Sequence, residues 1–134
     1  MTLKNITTIT LSITLVLLAV ANSLPEQDFA LLTASAVEIV DSGTCGENVT
    51  WTLDDEGTLI VTGEGEFVNY NNYDWGLNVK SVIIKNGVTK LGNGAFSYCT
   101  NLESATIADS VTSIGTEAFS YCTSLRSITI PDSV

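Results

Sequence analysis

Fifteen carboxylates, five Lys and Arg residues, three cysteines and no histidine define the chemistry open to this chain of 134 residues. Without histidine neither a Ser–His nor a Cys–His couple can form, and no Gly-x-Ser-x-Gly elbow occurs, so the usual routes to an activated nucleophile are closed. A pair of carboxylates suffices for glycoside hydrolysis, but acidic residues are too numerous here for sequence to single out a pair. Nine of them (Glu38, Asp41, Glu47, Asp54, Asp55, Glu56, Glu64, Glu66 and Asp74) fall between Val37 and Val79, a stretch with no Lys or Arg. A net charge of −10 repels phosphates, which argues against nucleic acid as a partner and favours solubility. Asp54-Asp55-Glu56-Gly57 concentrates carboxylates, yet a helix–loop–helix calcium loop needs oxygens at alternate positions and a Glu at its twelfth. That spacing is missing, and the segment reads as an acidic turn.

Cys45, Cys99 and Cys122 are odd in number, so at least one thiol stays free. Cys99 and Cys122 sit at equivalent places one repeat apart, where parallel side chains keep their Cβ atoms about 4.8 Å apart. A disulfide prefers about 3.8 Å. Both are therefore read as small buried hydrophobes. Three separated cysteines without histidine cannot close a tetrahedral zinc site, and neither a metal nor a cofactor is expected.

The elements around these residues follow from internal repetition. Val88 to Ser110 aligned with Val111 to Ser133 gives a period of 23 residues with fifteen identities. Val79 to Lys85 lies one period before Leu102 to Ala108, so the strand of a preceding copy is also present. Leu102-x-x-Ala105-x-Ile107 and Leu125-x-x-Ile128-x-Ile130 at a period in the twenties are the signature of a leucine-rich repeat. Alternation along a strand directs Ala105, Ile107, Ile128 and Ile130 to the core and Ser104, Thr106, Ser127 and Thr129 outward. Ser110 or Ser133 then turns the chain away. Gly92 or Gly115 permits a bend, residues 94–99 and 117–122 predict a short helical or 3₁₀ turn, and Phe96 and Phe119 are expected inside. One such unit cannot bury its own apolar face and depends on stacking. Val134 would open a third copy, so the chain reads as the front of a longer array.

Ahead of the repeats, Val49–Leu53 and Thr58–Thr62 alternate around the Gly57 turn like a β-hairpin, a fitting cap for the first coil. Residues 69–75 are expected to join cap to coil, with Trp75 as a packing residue. Further upstream, Lys4 precedes an apolar run from Ile6 to Ala21 that Pro25 ends, the layout of a secretory signal. The run is shorter than the roughly 20 residues of a membrane span, and no stable span is expected after cleavage. Cleavage after Ala21 or after Ala36 fits small-x-small sites. The expected organisation is an export signal over 1–36, a β-rich cap and first strand over 37–87, and two repeats over 88–134. The fold class is α/β, a solenoid of parallel strands with short helical turns behind a β-hairpin cap.

The segment Asp41 to Leu53, the strand Gly57 to Gly63 and the Ala-Phe-Ser-Tyr-Cys-Thr-x-Leu repeats together resemble the BspA-like leucine-rich-repeat proteins of bacteria. The likeness extends over nearly the whole chain from Val37. It implies a mature chain beginning near Ala36-Val37 and a secreted or surface-displayed protein. It also implies adhesion to host matrix proteins, other microbes or extracellular polymers.

Two functions of different class follow. The first is a non-catalytic binding module whose inner, concave sheet offers Ser81, Ser104, Thr106, Ser127 and Thr129 to an extracellular protein or glycan. Stacking would align them in the columns Ser81/Ser104/Ser127 and Ile83/Thr106/Thr129, beside Lys85/Ala108/Pro131. The second is the leading domain of a larger secreted enzyme whose catalytic part lies elsewhere. A third expectation is a remnant array too short to function alone.

Overall fold

The computed structural model describes residues 36–68, 75 and 77–134. The expected export signal up to residue 35, with the cleavage site expected after Ala21, and most of the expected joining loop lie outside these residues. The described chain from Val37 onward forms one compact unit. Its strands are β1 (Ile39–Thr44), β2 (Val49–Asp54), β3 (Thr58–Gly63), β4 (Gly65–Phe67), β5 (Ser81–Ile84), β6 (Val88–Leu91), β7 (Ser104–Ile107), β8 (Ser113–Ile114) and β9 (Ser127–Thr129). They build a sheet ordered β1-β2-β3-β5-β7-β9 and a second sheet ordered β4-β6-β8.

The cap is a three-stranded antiparallel meander, one strand more than the expected hairpin. β1 escapes the alternation rule because Ile39 and Val40 are both about half exposed, at 47% and 49%. The turn between β2 and β3 is organised by Asp54, whose Oδ1 accepts N–H bonds from Glu56 at 3.0 Å and Thr58 at 2.7 Å. Gly57 closes it at φ 90°, in the left-handed region that L side chains avoid. The acidic cluster here thus includes a buried carboxylate that shapes the backbone.

β3 is the joint of the fold. It pairs antiparallel with β2 on one side and parallel with β5 on the other, with Ile60 opposite Ile83. From there the ladder runs parallel through β7 and β9, setting Ser81 against Ser104 and Ser127. Equal spacing in sequence becomes register in space. The second sheet pairs Glu66 with Lys90 and Lys90 with Ser113. Its strands were hidden in the sequence because β6 buries its first and last residues, Val88 and Leu91, a spacing of three where a strand ordinarily buries every second residue.

Among the described residues the segments 94–99 and 117–122 are turns, and the expected helical or 3₁₀ conformation is absent. The reason is competition for backbone groups, donors in 94–99 and acceptors in 117–122. The N–H groups of Gly94, Phe96 and Tyr98 donate to the carbonyls of Thr116, Ala118 and Ser120 in the next repeat, at 2.9, 2.7 and 2.8 Å. Those of Ala95, Ser97 and Cys99 donate within the turn to Gly92, Gly94 and Phe96. A helix would need every donor for itself. Positive φ at Gly94, Tyr98, Glu117 and Tyr121 completes the alternation.

Between the sheets and the turns lies an apolar core. Phe67, Phe96 and Phe119 form a column with centroid separations of 5.3 and 5.4 Å, one ring per repeat. Trp51 and Trp75 meet edge to face at 4.7 Å, and Trp75 Nε1 donates to the Ala95 carbonyl at 3.2 Å. Ala105 and Ile107 are buried as expected, and Ile128 is partly so. Ile130 is the exception: it is 53% exposed, because it lies past the end of β9, which among the described residues is paired on its β7 side alone.

Candidate functional site

Side chains that do not point into the core gather on the far face of the six-stranded sheet. Their positions follow from strict alternation. Leu53, Leu59, Val82 and Ala105 are register partners on the buried face, and Thr52, Ile60, Ile83 and Thr106 are the next row, on the opposite face. Ser81 and Ser104 are half-buried, with Ser104 Oγ donating to Ser81 Oγ at 3.4 Å. Thr106, Ser127 and Thr129 are exposed. All five residues named from the sequence therefore share one face, in the two columns expected. The third column does not hold: Lys85 is exposed but Pro131 is buried, since β9 has already ended at Thr129.

The sheet adds residues that repeat matching does not reach. Ser42, Thr44, Thr50, Thr52 and Thr62 stand on the same face, because β1 and β2 extend the row. Thr50 and Thr62 face each other across the ladder with their hydroxyl oxygens 3.2 Å apart. The alternating Thr50-x-Thr52 pattern was the available signal, but it says nothing about which sheet it joins.

Many of the other polar residues shared by the two repeats are occupied by the scaffold. Ser110 and Ser133 donate to the carbonyls of Val88 and Val111, both at 2.7 Å. Thr112 and Thr123 reach the carbonyls of Thr89 and Thr100 one repeat back. These hydroxyls tie coil to coil.

The thiols are equally structural. Cys45 and Cys99 are fully buried, Cys122 is partly so, and none of the three forms a disulfide. Burial pushes the Cys45 thiol up to about 12. It raises Cys122 as well, against a backbone hydrogen bond from Cys99 that lowers it. Thiols held protonated are poor nucleophiles and poor metal ligands. No cluster of three His, Cys, Asp or Glu residues suited to a metal ion occurs among the described residues. A shallow depression of about 580 Å³ beside the β2–β3 turn is lined by residues including Val40, Asp54, Leu77 and Lys80. Its one buried carboxylate, Asp54, is already engaged by the turn. No helix among the described residues is long and apolar enough to cross a membrane.

Comparison with known proteins bears on the same region. Residues 66–134 match the family model for the BspA type leucine-rich repeat region (6 copies). Among curated proteins none matches the chain. A leucine-rich repeat protein of Eubacterium ventriosum, solved by crystallography, is similar with 28% identity and a TM-score of 0.58, over 66% of this chain and 25% of that one. A leucine rich cell surface protein of Faecalibacterium prausnitzii shares 25% identity over 66% of this chain and 30% of that one, with a TM-score of 0.36. The chain thus spans about a quarter of the length of the first of these proteins. Its 23-residue period, its parallel ladders and the matched repeat region agree, and the chain belongs to the BspA-type leucine-rich-repeat family.

Proposed function

We propose that this protein is exported and acts at or outside the cell surface as a binding module, holding an extracellular protein or glycan on the outward face of its six-stranded sheet. The observation behind this reading is the register of Ser81, Ser104 and Ser127 beside that of Thr106 and Thr129, on a face that no other element among the described residues covers. In a solenoid that continues in the same way, every added repeat lengthens both columns and the surface grows with the array. Family membership and the signal-like leader support an extracellular location. The role involves no catalysis and no cofactor, and the acidic surface disfavours nucleic acid.

Retention of the full exported protein on immobilised matrix proteins and polysaccharides tests the reading. Thr106→Glu combined with Thr129→Glu should lower retention, whereas Ser113→Glu, on an exposed position of the second sheet, should not. Equal retention of the doubly substituted protein and the parent would overturn the assignment of the face.

A further inference from the structure

The outward rows run unbroken from the cap into the repeats. Ser42, Thr52, Ile60, Ile83, Thr106 and Thr129 are successive register partners across all six strands. At about 4.8 Å per strand this row extends roughly 24 Å. Thr58, Ser81, Ser104 and Ser127 form a row on one side of it, and Thr44, Thr50 and Thr62 one on the other, each about 7 Å away. Apart from Ile60 and Ile83, each of these side chains carries a hydroxyl; the charged residue beside them is Lys85, which continues the Thr62 row past the end of β5 and is exposed. In a chain of net charge −10 such a surface is anomalous, since roughly a quarter to a third of surface residues are ordinarily charged.

We propose that this whole face, cap strands included, is a binding surface for a neutral polysaccharide. The proposal deepens the sheet-face reading above and rests on it. Two properties of the surface select the ligand. Ile60 and Ile83 are adjacent and partly exposed, flanked by Thr52 and Thr106 within their row and by Thr58, Ser81 and Thr62 in the neighbouring rows. A pyranose ring matches this pattern, with a C–H face to lie on the isoleucines and a rim of hydroxyls around it. Those hydroxyls both donate and accept, as do Ser and Thr, so either partner can adjust to the other. Charge supplies the second selection. A charged polymer would shed hydration against rows that offer no counter-charge except Lys85 at their edge, and an anionic one would also meet the field of the whole protein. A protein partner fits less well, because the Trp, Tyr and Arg residues that dominate protein interfaces are absent from these rows. The length of the rows accommodates several sugar units in line.

Affinity electrophoresis of the full exported protein through gels containing mixed-linkage β-glucan, galactomannan or dextran, with polygalacturonate as the acidic counterpart, tests this. At least one neutral polymer should retard the protein equally at low and high salt. Thr106→Glu on a repeat and Thr50→Glu or Thr52→Glu on the cap should each weaken retardation about tenfold or more, the effect of an unpaired charge in a contact. Thr52→Ser should retain binding, and unfolding midpoints identify any variant that has lost its fold. Loss with Thr106→Glu but not with the cap substitutions would overturn the shared face and leave the repeat surface as the binding site. Retention on matrix proteins or polygalacturonate alone would overturn the neutral ligand while sparing that assignment. No binding to any polymer or matrix protein would overturn both.

Discussion

The rings of Tyr98 and Tyr121, one repeat apart, stack with centroids 4.7 Å apart and planes 7° from parallel, although each residue sits at positive φ and each is 62% exposed. A left-handed conformation costs an L residue about 1–2 kcal/mol, and an aromatic pair returns about 0.5–1.5 kcal/mol. Tyr98→Ala should therefore destabilise by about 1 kcal/mol, because it keeps the strained backbone and loses the stack. Tyr98→Gly should be nearly neutral, the relief of strain offsetting the lost contact. Urea unfolding of the two variants side by side distinguishes them, and equal losses would show that backbone strain has no part in the balance.

Phe96 stands between Phe67 and Phe119 in the aromatic column, fully buried where cap and repeats meet. Phe96→Ala should cost about 3–5 kcal/mol, a large share of what a small domain has. Phe119→Ala should cost less, since Phe119 is only partly buried. Thermal denaturation followed by circular dichroism reads both; a larger loss at Phe119 would contradict this picture of the core.

Asp54 holds the β2–β3 turn through two N–H bonds to one carboxylate oxygen. Asp54→Ala removes both and should cost about 2–3 kcal/mol, whereas Asp54→Asn keeps a neutral acceptor and should lose about half as much. Denaturant midpoints of the two variants test the order. A stability that responds instead to calcium or to chelator would reassign the acidic turn as a cation site.

Cys45 is buried with its thiol raised from 9.0 to about 12. The folded state keeps this proton where the unfolded chain has released it, so the contribution is complete below pH 9 and is lost as pH climbs toward 12. The slope approaches about 1.4 kcal/mol per pH unit within that window. Cys45→Ala should flatten the alkaline part of the stability curve measured by urea unfolding. At neutral pH a thiol reagent should label Cys122 before Cys45 or Cys99, because it alone of the three is partly exposed. Labelling of Cys45 first, in protein that remains folded, would contradict the buried placement.

How much of this was legible in advance depends on how local the signal is. The pairing of β5, β7 and β9 could be read from identity at a spacing of 23 residues, since equal repeats that stack must place Ser81, Ser104 and Ser127 in register. Burial of Ala105 and Ile107 followed from two-residue alternation. The turn residues misled, because Ala-Phe-Ser-Tyr-Cys suits a helical turn until its alternate N–H groups are claimed by the neighbouring repeat. That competition exists only once two repeats are stacked.

The repeat period, the serine and threonine columns, the burial of Cys99 and the acidic cap are properties of residue type and spacing, and they follow from the chain read in order; the partial exposure of Cys122 does not. The reach of the hydroxyl face is of another kind. It depends on β3 pairing antiparallel with β2 and parallel with β5, which carries Ser42 and Thr52 into the same row as Thr106 and Thr129. No local pattern encodes that junction, because strand register between distant segments is set by how a shared core packs beneath them. Here that core is the column of phenylalanines and the two tryptophans that meet across the cap.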